Sequence, residues 1–470
     1  MSDSAPEASA HNSHEVEPNT GISHKTAHKT LAHNWYEARE LAYNHPQPLP
    51  PSLTDLDKCV GRTLTEDLVA LHNMPHYASS AMDGWAVNGT GPWIPVEPGK
   101  RLAPHEASPI VTGGLIPPGA KAVLRSESAE LTLDEDGLAV VRLGGRAKPG
   151  EPRNGQHIRR ASEEASVEDM LIPAGTVINP AQVALAALAG HDQLPVVGRA
   201  VVRFLRTGSE VVDHGIPAPG RVRDTFGPQI PSVITQLGGI YAETLHVEDH
   251  LDHWRRAFDE EQVELPSDVV ITTGGTGASA TDHLRSVLEE LGARFLIDTV
   301  AMRPGHPTVL AELPDGRYVL GLPGNPTAAM VALLSFGWPL IAKLGHLPAP
   351  AVVQVPCGTS LDAHQGPTRV MPFRQLYGMA APSGHHSPGM MRGLAMADGL
   401  MIVPPHGVQM GELVDAISLP WATPLEAAES AEEKVAKEAA AKEQAAKERA
   451  AKAARRKAAS TGPVDWSALG

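Results

Sequence analysis

Residues 269–282, Val-Val-Ile-Thr-Thr-Gly-Gly-Thr-Gly-Ala-Ser-Ala-Thr-Asp, decide the fold class of this chain. Their apolar, β-branched beginning predicts a buried strand. The glycines that follow allow a tight turn and the close approach of a ligand. Residues 284–291 predict a helix with Asp282 as its N-cap. A helix N-terminus after a glycine turn binds anions, so this corner favours a phosphorylated ligand, although a turn without a ligand explains the same glycines.

A second corner of the same kind lies downstream. Residues 318–327 read Tyr-Val-Leu-Gly-Leu-Pro-Gly-Asn-Pro-Thr and lead into an apolar helix predicted over 327–344. Because open sheets bind ligands at the carboxyl ends of neighbouring parallel strands, we expect the two corners to share one site. A third segment, residues 76–87, places Asp83 in a Ser- and Gly-rich loop before a short strand.

The composition excludes several classes of protein. At 470 residues the chain is long enough for three or four domains. Its two cysteines, Cys59 and Cys357, exclude a disulfide framework and favour a cytoplasmic location. We expect no membrane span and no signal peptide, because no apolar run approaches the ~20 residues that cross a bilayer. Residues 430–459 carry nine Lys or Arg and five Glu, a charge of +4. Because the net charge of the whole chain is −15, the other residues carry about −19, which argues against nucleic-acid binding.

The residue patterns divide the chain into domains. Short strands between Gly and Pro turns predict a β-rich insert over 74–164. Alternating strand and helix patterns predict a βαβ domain with a mainly parallel sheet over 199–346. Further strands predict a C-terminal β-barrel-like domain over 347–421, so the fold class is α/β multidomain. Residues 1–29 are predicted to form a disordered N-terminal tail. A linker subdomain is predicted from two pieces, 30–73 and 165–198, and residues 422–470 are predicted to form a charged helical tail.

Seven short motifs occur along the chain in one order. They are Ser79-Ser-Ala-Met-Asp-Gly-Trp-Ala-Val87, Thr112-Gly113, Gly155-Gln-His-Ile-Arg-Arg160, Thr207-Gly-Ser-Glu210, the glycine loop from Gly274, Arg303-Pro-Gly305 and Leu322-Pro-Gly-Asn-Pro326. In this order they resemble the molybdopterin molybdenumtransferase family, which includes bacterial MoeA and the E domain of gephyrin. The resemblance covers residues from about 35 to 421.

The resemblance implies both an architecture and an activity. The protomer is expected to be elongated and MoeA-like and to form a homodimer. Its active site is expected between the βαβ domain of one subunit and the β-rich parts of the other. The implied enzyme takes adenylylated molybdopterin, releases AMP with the help of a divalent cation, and inserts molybdate to give the molybdenum cofactor.

The residue types fit this chemistry. Carboxylate oxygens suit Mg²⁺, and the resemblance implies a metal role for Asp83, Glu210, Asp224 and Asp282, of which Asp83, Glu210 and Asp282 are also the catalytic candidates. Backbone N–H groups suit phosphate and pterin, and guanidinium groups suit phosphate or molybdate oxygens. The candidate residues for binding substrate and cofactor are Thr112, Gly274, Gly275, Thr276, Gly277, Ser279, Arg303, His306, Pro323, Gly324, Asn325, Pro326 and Arg369.

Each of the charged candidates also has a purely structural interpretation. Asp83 can cap a turn, and Asp224 and Asp282 are well placed to cap helices. Glu210, next but one to Gly208, can be a solvated loop acid, and Arg369 can be an exposed cation on an edge strand. The sequence leaves these alternatives open.

This chain departs from the family pattern at several positions. It reads Arg303-Pro-Gly-His306 where the family usually has Lys-Pro-Gly-Lys. Arginine replaces the charge with a different geometry, and histidine is only partly charged near neutrality. Ser209 and Phe226 replace the usual Asp and Asn, and Glu164 only approximates an acid that the family has after its double arginine. The serine expected to touch molybdate falls near Ser387.

The sequence therefore supports more than one function. The first is molybdate insertion by a cytoplasmic, homodimeric enzyme. The second is a gephyrin-like scaffold with a degraded pterin site, which binds a protein partner through its C-terminal domain or its tail. The third is adenylylation of molybdopterin, which only the Gly-Gly-Thr-Gly loop favours.

Overall fold

The computed structural model describes residues 32–259, 265–277 and 283–425. The predictions for the N-terminal tail, for Ser279 and Asp282, and for residues 426–470 of the charged tail lie outside these ranges.

The amino-terminal part of the chain forms small sheets that pair distant segments. Strand β1 pairs with β12 and β2 with β11, which supports the proposed two-piece linker subdomain. The proposed insert holds the four-stranded sheet β5-β6-β4-β7 and the hairpin β8–β9. The elements are α1 Trp35–Asn44, β1 Pro51–Asp55, β2 Leu68–Val69, β3 Ser79–Ser80, β4 Gly84–Val87, β5 Ile94–Pro95, β6 Glu106–Ile110, β7 Ala122–Arg125, β8 Ala129–Leu133, β9 Ala139–Leu143, β10 Ile158–Arg159, β11 Met170–Ile172, α2 Pro180–Leu188 and β12 Gln193–Val197.

A six-stranded sheet of order β16-β13-β17-β21-β20-β18 forms the α/β domain. The four strands β16, β13, β17 and β21 run parallel to one another. Strand β20 pairs antiparallel with both β21 and β18. The prediction of a mainly parallel sheet is therefore confirmed. The sequence pattern missed β20. The elements are β13 Val201–Thr207, β14 Val211–Val212, β15 Val222–Arg223, α3 Phe226–Gln236, β16 Ile240–Val247, α4 Leu251–Ala257, β17 Val269–Thr273, α5 Leu284–Glu290, β18 Arg294–Ile297, β19 Met302–Arg303, β20 Val309–Glu312, β21 Tyr318–Leu322, α6 Pro326–Ala332 and α7 Trp338–Leu344.

Two helical predictions differ in detail from the structure. The N-cap position of α5 is His283 rather than Asp282. The single helix predicted over 327–344 is interrupted by a π-helical turn, Leu333–Gly337, between α6 and α7. Within the described residues, the combined segment Pro326–Leu344 is the one helix long and apolar enough to cross a membrane, but 89% of it is buried, as expected of a core helix.

Helix α1 packs against this interrupted helix, although it lies in the first piece of the predicted linker subdomain, 30–73. The indole Nε1 of Trp35 donates to Ser335 Oγ at 3.0 Å. The Arg39 guanidinium is buried and donates to the carbonyl oxygens of Leu334, Ser335 and Pro350, at 3.3, 2.7 and 2.9 Å. A π turn leaves backbone carbonyls without their usual helical partners, and Arg39 satisfies two of them here. We therefore propose that α1 belongs with the α/β domain.

The C-terminal strands form a sheet of order β19-β23-β25-β26-β22, with β24 paired to the outer part of β23. A bridge between Cys357 and Ala380, with the Gly358 N–H donating to the Ala380 oxygen at 2.8 Å, joins the end of β22 to β24 and gives the barrel-like closure. Strand β19 comes from the α/β domain and so ties the two domains together. The elements are β22 Val353–Pro356, β23 Thr368–Leu376, β24 Met379–Pro382, α8 Met391–Ala395, β25 Gly399–Val403 and β26 Leu413–Ser418.

Candidate active site

A cleft of about 680 Å³ opens at the carboxyl ends of β13, β17 and β21. The chain goes from β13 to β16 on one side of the sheet and from β17 to β18 on the other side. The point between β13 and β17 is therefore a switch point, where open α/β sheets bind ligands. The lining residues are Thr207, Gly208, Glu210, Val211, Val222, Arg223, Asp224, Thr225, Phe226, Asp249, Thr273, Gly274, Gly275, Gly324, Asn325, Pro326 and Gly389.

The glycine corner after β17 requires glycine at both of its first positions. Gly274 and Gly275 have φ of +82° and +67°. A Cβ on Gly274 would lie 2.7 Å from Thr207 Oγ1, and a Cβ on Gly275 would lie 2.7 Å from Cζ2 of the buried Trp254. The Gly274 N–H donates to the Leu322 oxygen at 2.9 Å and so joins the ends of β17 and β21. The Gly274 N–H is therefore already satisfied within the protein.

The second corner is capped from the C-terminal domain. The N–H groups of Thr327 and Ala328 in the first turn of α6 donate to the Pro388 oxygen at 2.9 and 3.2 Å. The Thr327 hydroxyl donates to the Met390 oxygen at 2.8 Å. Gly389, in the same loop, contributes to the wall of the cleft. Gly324 and Asn325 line that wall, but the two first-turn N–H groups of the helix behind them already donate to the Pro388 oxygen.

Three acids line the cleft, and each has a different environment. Asp224 is buried; its Oδ1 accepts from the N–H groups of Phe226 and Gly227, and its Oδ2 accepts from Arg206 Nη1 at 2.8 Å. These contacts give Asp224 the helix-capping role that the sequence left open. Asp249 Oδ2 accepts from the N–H and hydroxyl of Ser209, at 3.2 and 3.1 Å.

Glu210 is the acid whose carboxylate is available in the cleft. Its side chain is exposed and makes no hydrogen bond or ion pair with the residues that the structure describes. Over the described ranges no three His, Cys, Asp or Glu side chains gather into a metal site. Mg²⁺ in phosphate-handling enzymes is commonly held by one or two carboxylates together with substrate phosphates and water. Glu210 is therefore suited to a Mg²⁺ ion that substrate phosphate and water also hold. The described residues do not form a cage of protein ligands alone.

Asp83 and Thr112 meet on the insert and do not line the cleft of their own chain. Asp83 Oδ1 accepts from the backbone N–H of Thr112 at 2.6 Å and from its hydroxyl at 2.9 Å. These hydrogen bonds favour the ionised form and lower the pKa of the Asp83 carboxyl from its ordinary value. The insert thus presents an oriented, charged carboxylate at its surface.

Arg303 and Arg369 are direct neighbours, because β19 pairs with β23 in a register that aligns them. Arg369 Nη2 donates to the backbone carbonyl oxygen of Asp362 at 2.9 Å, while its buried Nε has no partner among the described residues. Arg303 is exposed and forms no ion pair within the described ranges. Two adjacent guanidinium groups repel each other unless an anion lies between them. His306 Nδ1 lies 2.7 Å from the Val300 oxygen, so Nδ1 carries the hydrogen of that bond.

The structure brings together only part of the predicted site. Thr276 and Pro323 are buried behind the cleft, and Gly277 does not line it. Ser279 and Asp282 lie outside the described residues. The predicted residues that do line the cleft are Glu210, Asp224, Gly274, Gly275, Gly324, Asn325 and Pro326.

Sequence reasoning missed several lining residues. Thr207 and Gly208 were quoted as a motif without a place in the site, and Asp249 follows β16, another strand whose carboxyl end meets this edge. That shared edge was the signal that could have found Asp249. Gly389 comes from another domain, and no local pattern marks it.

Fold and cleft together define a multidomain α/β protein whose central domain has a cleft at the carboxyl ends of its parallel strands. The family model of the MoeA N-terminal region (domain I and II) matches residues 33–190, and that of the probable molybdopterin binding domain matches residues 203–343. The chain belongs to the molybdopterin molybdenumtransferase (MoeA) family, as its motifs predicted.

Named relatives agree with this family, and two solved structures share the fold. A molybdopterin molybdenumtransferase of Staphylococcus aureus is 28% identical over 428 residues, which cover 85% of this chain and 97% of the relative. One from Staphylococcus epidermidis is 27% identical over 435 residues, 86% of this chain and 96% of the relative. A crystal structure of a molybdopterin biosynthesis MoeA protein from Pyrococcus horikoshii has a TM-score of 0.63 at 22% identity, over 82% of this chain and 99% of that one. A second from that organism has a TM-score of 0.58 at 19% identity, over 83% and 100%.

Proposed function

We propose that this protein is a molybdopterin molybdenumtransferase of molybdenum cofactor biosynthesis, which takes adenylylated molybdopterin, releases AMP and inserts molybdate. The relatives' names and the two matching family models support this transferase activity. The observation that carries the proposal is the cleft at the switch point of the sheet, where both predicted corners meet Glu210. The gephyrin-like scaffold is not favoured, since the relatives are named as transferases.

The adjacent arginines support a place for molybdate. Arg303 and Arg369 lie side by side without a carboxylate partner among the described residues. Their forked N–H groups can each donate two hydrogen bonds to a tetrahedral dianion. The His306 ring already donates through Nδ1 to Val300, so only the protonated ring offers a second N–H, at Nε2, to an oxyanion. These side chains would bind and orient molybdate beside the pterin.

Mg²⁺ enters the proposal as an ion that accompanies the substrate. When bound, it would neutralise phosphate charge during AMP release. Among the acids that line the cleft, Glu210 has both carboxylate oxygens free to hold it. Those of Asp224 are occupied by Arg206 and two backbone N–H groups. Asp282 remains a proposed catalytic and metal residue from the sequence alone.

We also propose a homodimer in which the insert of one subunit completes the cleft of the other. Asp83 and Thr112 are predicted site residues, yet they do not reach the cleft of their own chain. Helix α2 has no charged side chain, its only fully buried residue is Ala186, and Leu188 at its end is 62% exposed. An apolar helix face of this kind is typical of a subunit interface. A cytoplasmic location agrees with two free, buried cysteines.

One experiment tests the activity and the shared site together. The purified protein is incubated with adenylylated molybdopterin, Mg²⁺ and molybdate, and AMP release and active cofactor are measured. We expect cofactor to form only with molybdate, and Asp83→Ala and Glu210→Ala each to lose activity while remaining dimeric. Mixing and refolding the two inactive variants should make half of the dimers mixed, and one of the two sites in each mixed dimer is intact. About a quarter of the parent activity should therefore return.

The outcomes separate the two parts of the proposal. A parent protein that gives no molybdate-dependent product would refute the transferase. An active parent whose two variants never complement each other would refute only the shared site. As a matched control, mixing Glu210→Ala with itself should give no recovery.

A further inference from the structure

The cleft has little positive charge to offer an anionic ligand. Of its described charged lining residues, Glu210, Asp224 and Asp249 are acids and Arg223 is the one cation. Arg206 neutralises Asp224 from outside the lining. Yet the substrate class proposed above carries phosphate. A phosphorylated ligand therefore needs a positively charged hydrogen-bond donor that offsets its repulsion by these acids.

Several of the backbone donors at the cleft are already in use. The Gly274 N–H donates to Leu322, and the first-turn N–H groups of α6 donate to Pro388. At the start of α3, the N–H groups of Phe226 and Gly227 donate to the Asp224 carboxylate. Both helix N-termini that border the cleft are thus capped from within the protein, so they cannot supply the usual anion site.

From these observations we infer that Arg223 binds a phosphate group of the ligand in the cleft, an inference that rests on the proposed function. Arg223 ends β15, which pairs in parallel with β14 and places residue 223 opposite Val212 at the lip of the cleft. The side chain is exposed, and its one hydrogen bond to the described part of the chain is long, from Nη1 to the Val212 oxygen at 3.4 Å. Its guanidinium is thus available for a bidentate contact that lysine cannot reproduce.

The phosphate can come from either half of adenylylated molybdopterin, the nucleotide or the pterin. Paired probes separate these sources: AMP against adenosine, and hydroxymethylpterin phosphate against hydroxymethylpterin. Each is titrated calorimetrically, at low salt, into the parent, Arg223→Ala, Arg223→Lys and the control Arg142→Ala. Arg142 is an exposed arginine of the insert hairpin, outside the cleft.

We expect Arg223→Ala to weaken at least one phosphorylated probe about tenfold, the size of a lost charge-assisted hydrogen bond, and to leave its unphosphorylated partner unchanged. Arg223→Lys should recover part of the loss, and added salt should reduce the difference. The probe that responds identifies which phosphate Arg223 contacts.

Two results would overturn the inference: unchanged affinity for both phosphorylated probes, or an equal loss for a phosphorylated probe and its unphosphorylated partner. Both are distinguishable from failure of the proposed function, because binding is measured without turnover. A parent that binds AMP through Arg223 but never forms cofactor would refute the transferase and keep the phosphate contact.

Discussion

The two corners of the cleft look alike in sequence but are held in different ways. At Gly274 the corner is tied to the neighbouring strand of the same sheet, and it tolerates no side chain because Thr207 and Trp254 lie against it. At Asn325 the corner is tied to another domain, because the loop at Pro388 caps the helix that follows. The same strand–turn–helix pattern therefore produces a rigid wall in one place and a contact between domains in the other.

The largest effect is expected from a side chain at the first corner. Gly275→Ala places a Cβ 2.7 Å from the buried Trp254 ring in a left-handed backbone conformation. We expect the free energy of unfolding to fall by roughly 2–4 kcal/mol, from backbone strain and overpacking together. Urea denaturation measures this loss.

A matched control is available at Gly316, which has a φ of +90° and open space around it. Gly316→Ala should cost only the backbone strain, roughly 1–2 kcal/mol. If the two variants were equally destabilised, the contact with Trp254 would not be what makes the first corner rigid.

A smaller effect is expected at the second corner. Thr327→Val keeps the buried shape but removes the hydroxyl that donates to Met390. The free energy of unfolding should fall by about 1 kcal/mol, the net worth of one hydrogen bond. The KM for the pterin substrate should rise, because the loop with Gly389 is then held to α6 without the hydroxyl bond, by the two backbone hydrogen bonds to Pro388.

Thr327→Ser, which keeps the donor, should restore the parent KM. A Val variant with parent KM and a Ser variant that behaves no better than Val would each show that the hydroxyl does not couple the domains.

The smallest effect is expected at His306, where a variant tests whether side chains rather than the two backbone corners bind the anion. Molybdate-dependent cofactor formation should rise a few-fold in His306→Lys, because an ammonium group offers the anion N–H donors that an imidazole bonded through Nδ1 to Val300 does not. His406→Lys, at an exposed turn, should leave the rate unchanged. Equal rates in the parent protein and in His306→Lys would remove His306 from the anion site.

Local patterns were sufficient for most of the fold. The β-branched run before Gly274 and the apolar periodicity after Pro326 specify a buried strand and a buried helix wherever they occur, so those elements were predictable. Strand β20 was missed because it is a short antiparallel return with no signal of its own among parallel neighbours.

The site was less predictable than the fold, because its contacts join distant residues. Nothing near Thr327 shows that Pro388 will cap it, and nothing near Asp224 shows that Arg206 will neutralise it. A pattern identifies which donors a corner possesses. Whether they are free depends on partners that only the folded chain supplies.

The contact between α1 and the π turn has a consequence for synthesis. Trp35 and its partner Ser335 are 300 residues apart. At about 5–20 residues per second, α1 leaves the ribosome roughly 15–60 s before the helix it packs against exists. Until then its apolar face, with Trp35, Ala38 and Ala42, has no place to dock. We expect nascent chains halted before residue 338 to hold α1 accessible to protease and full-length chains to protect it, so the first helix of the described residues is among the last to find its place.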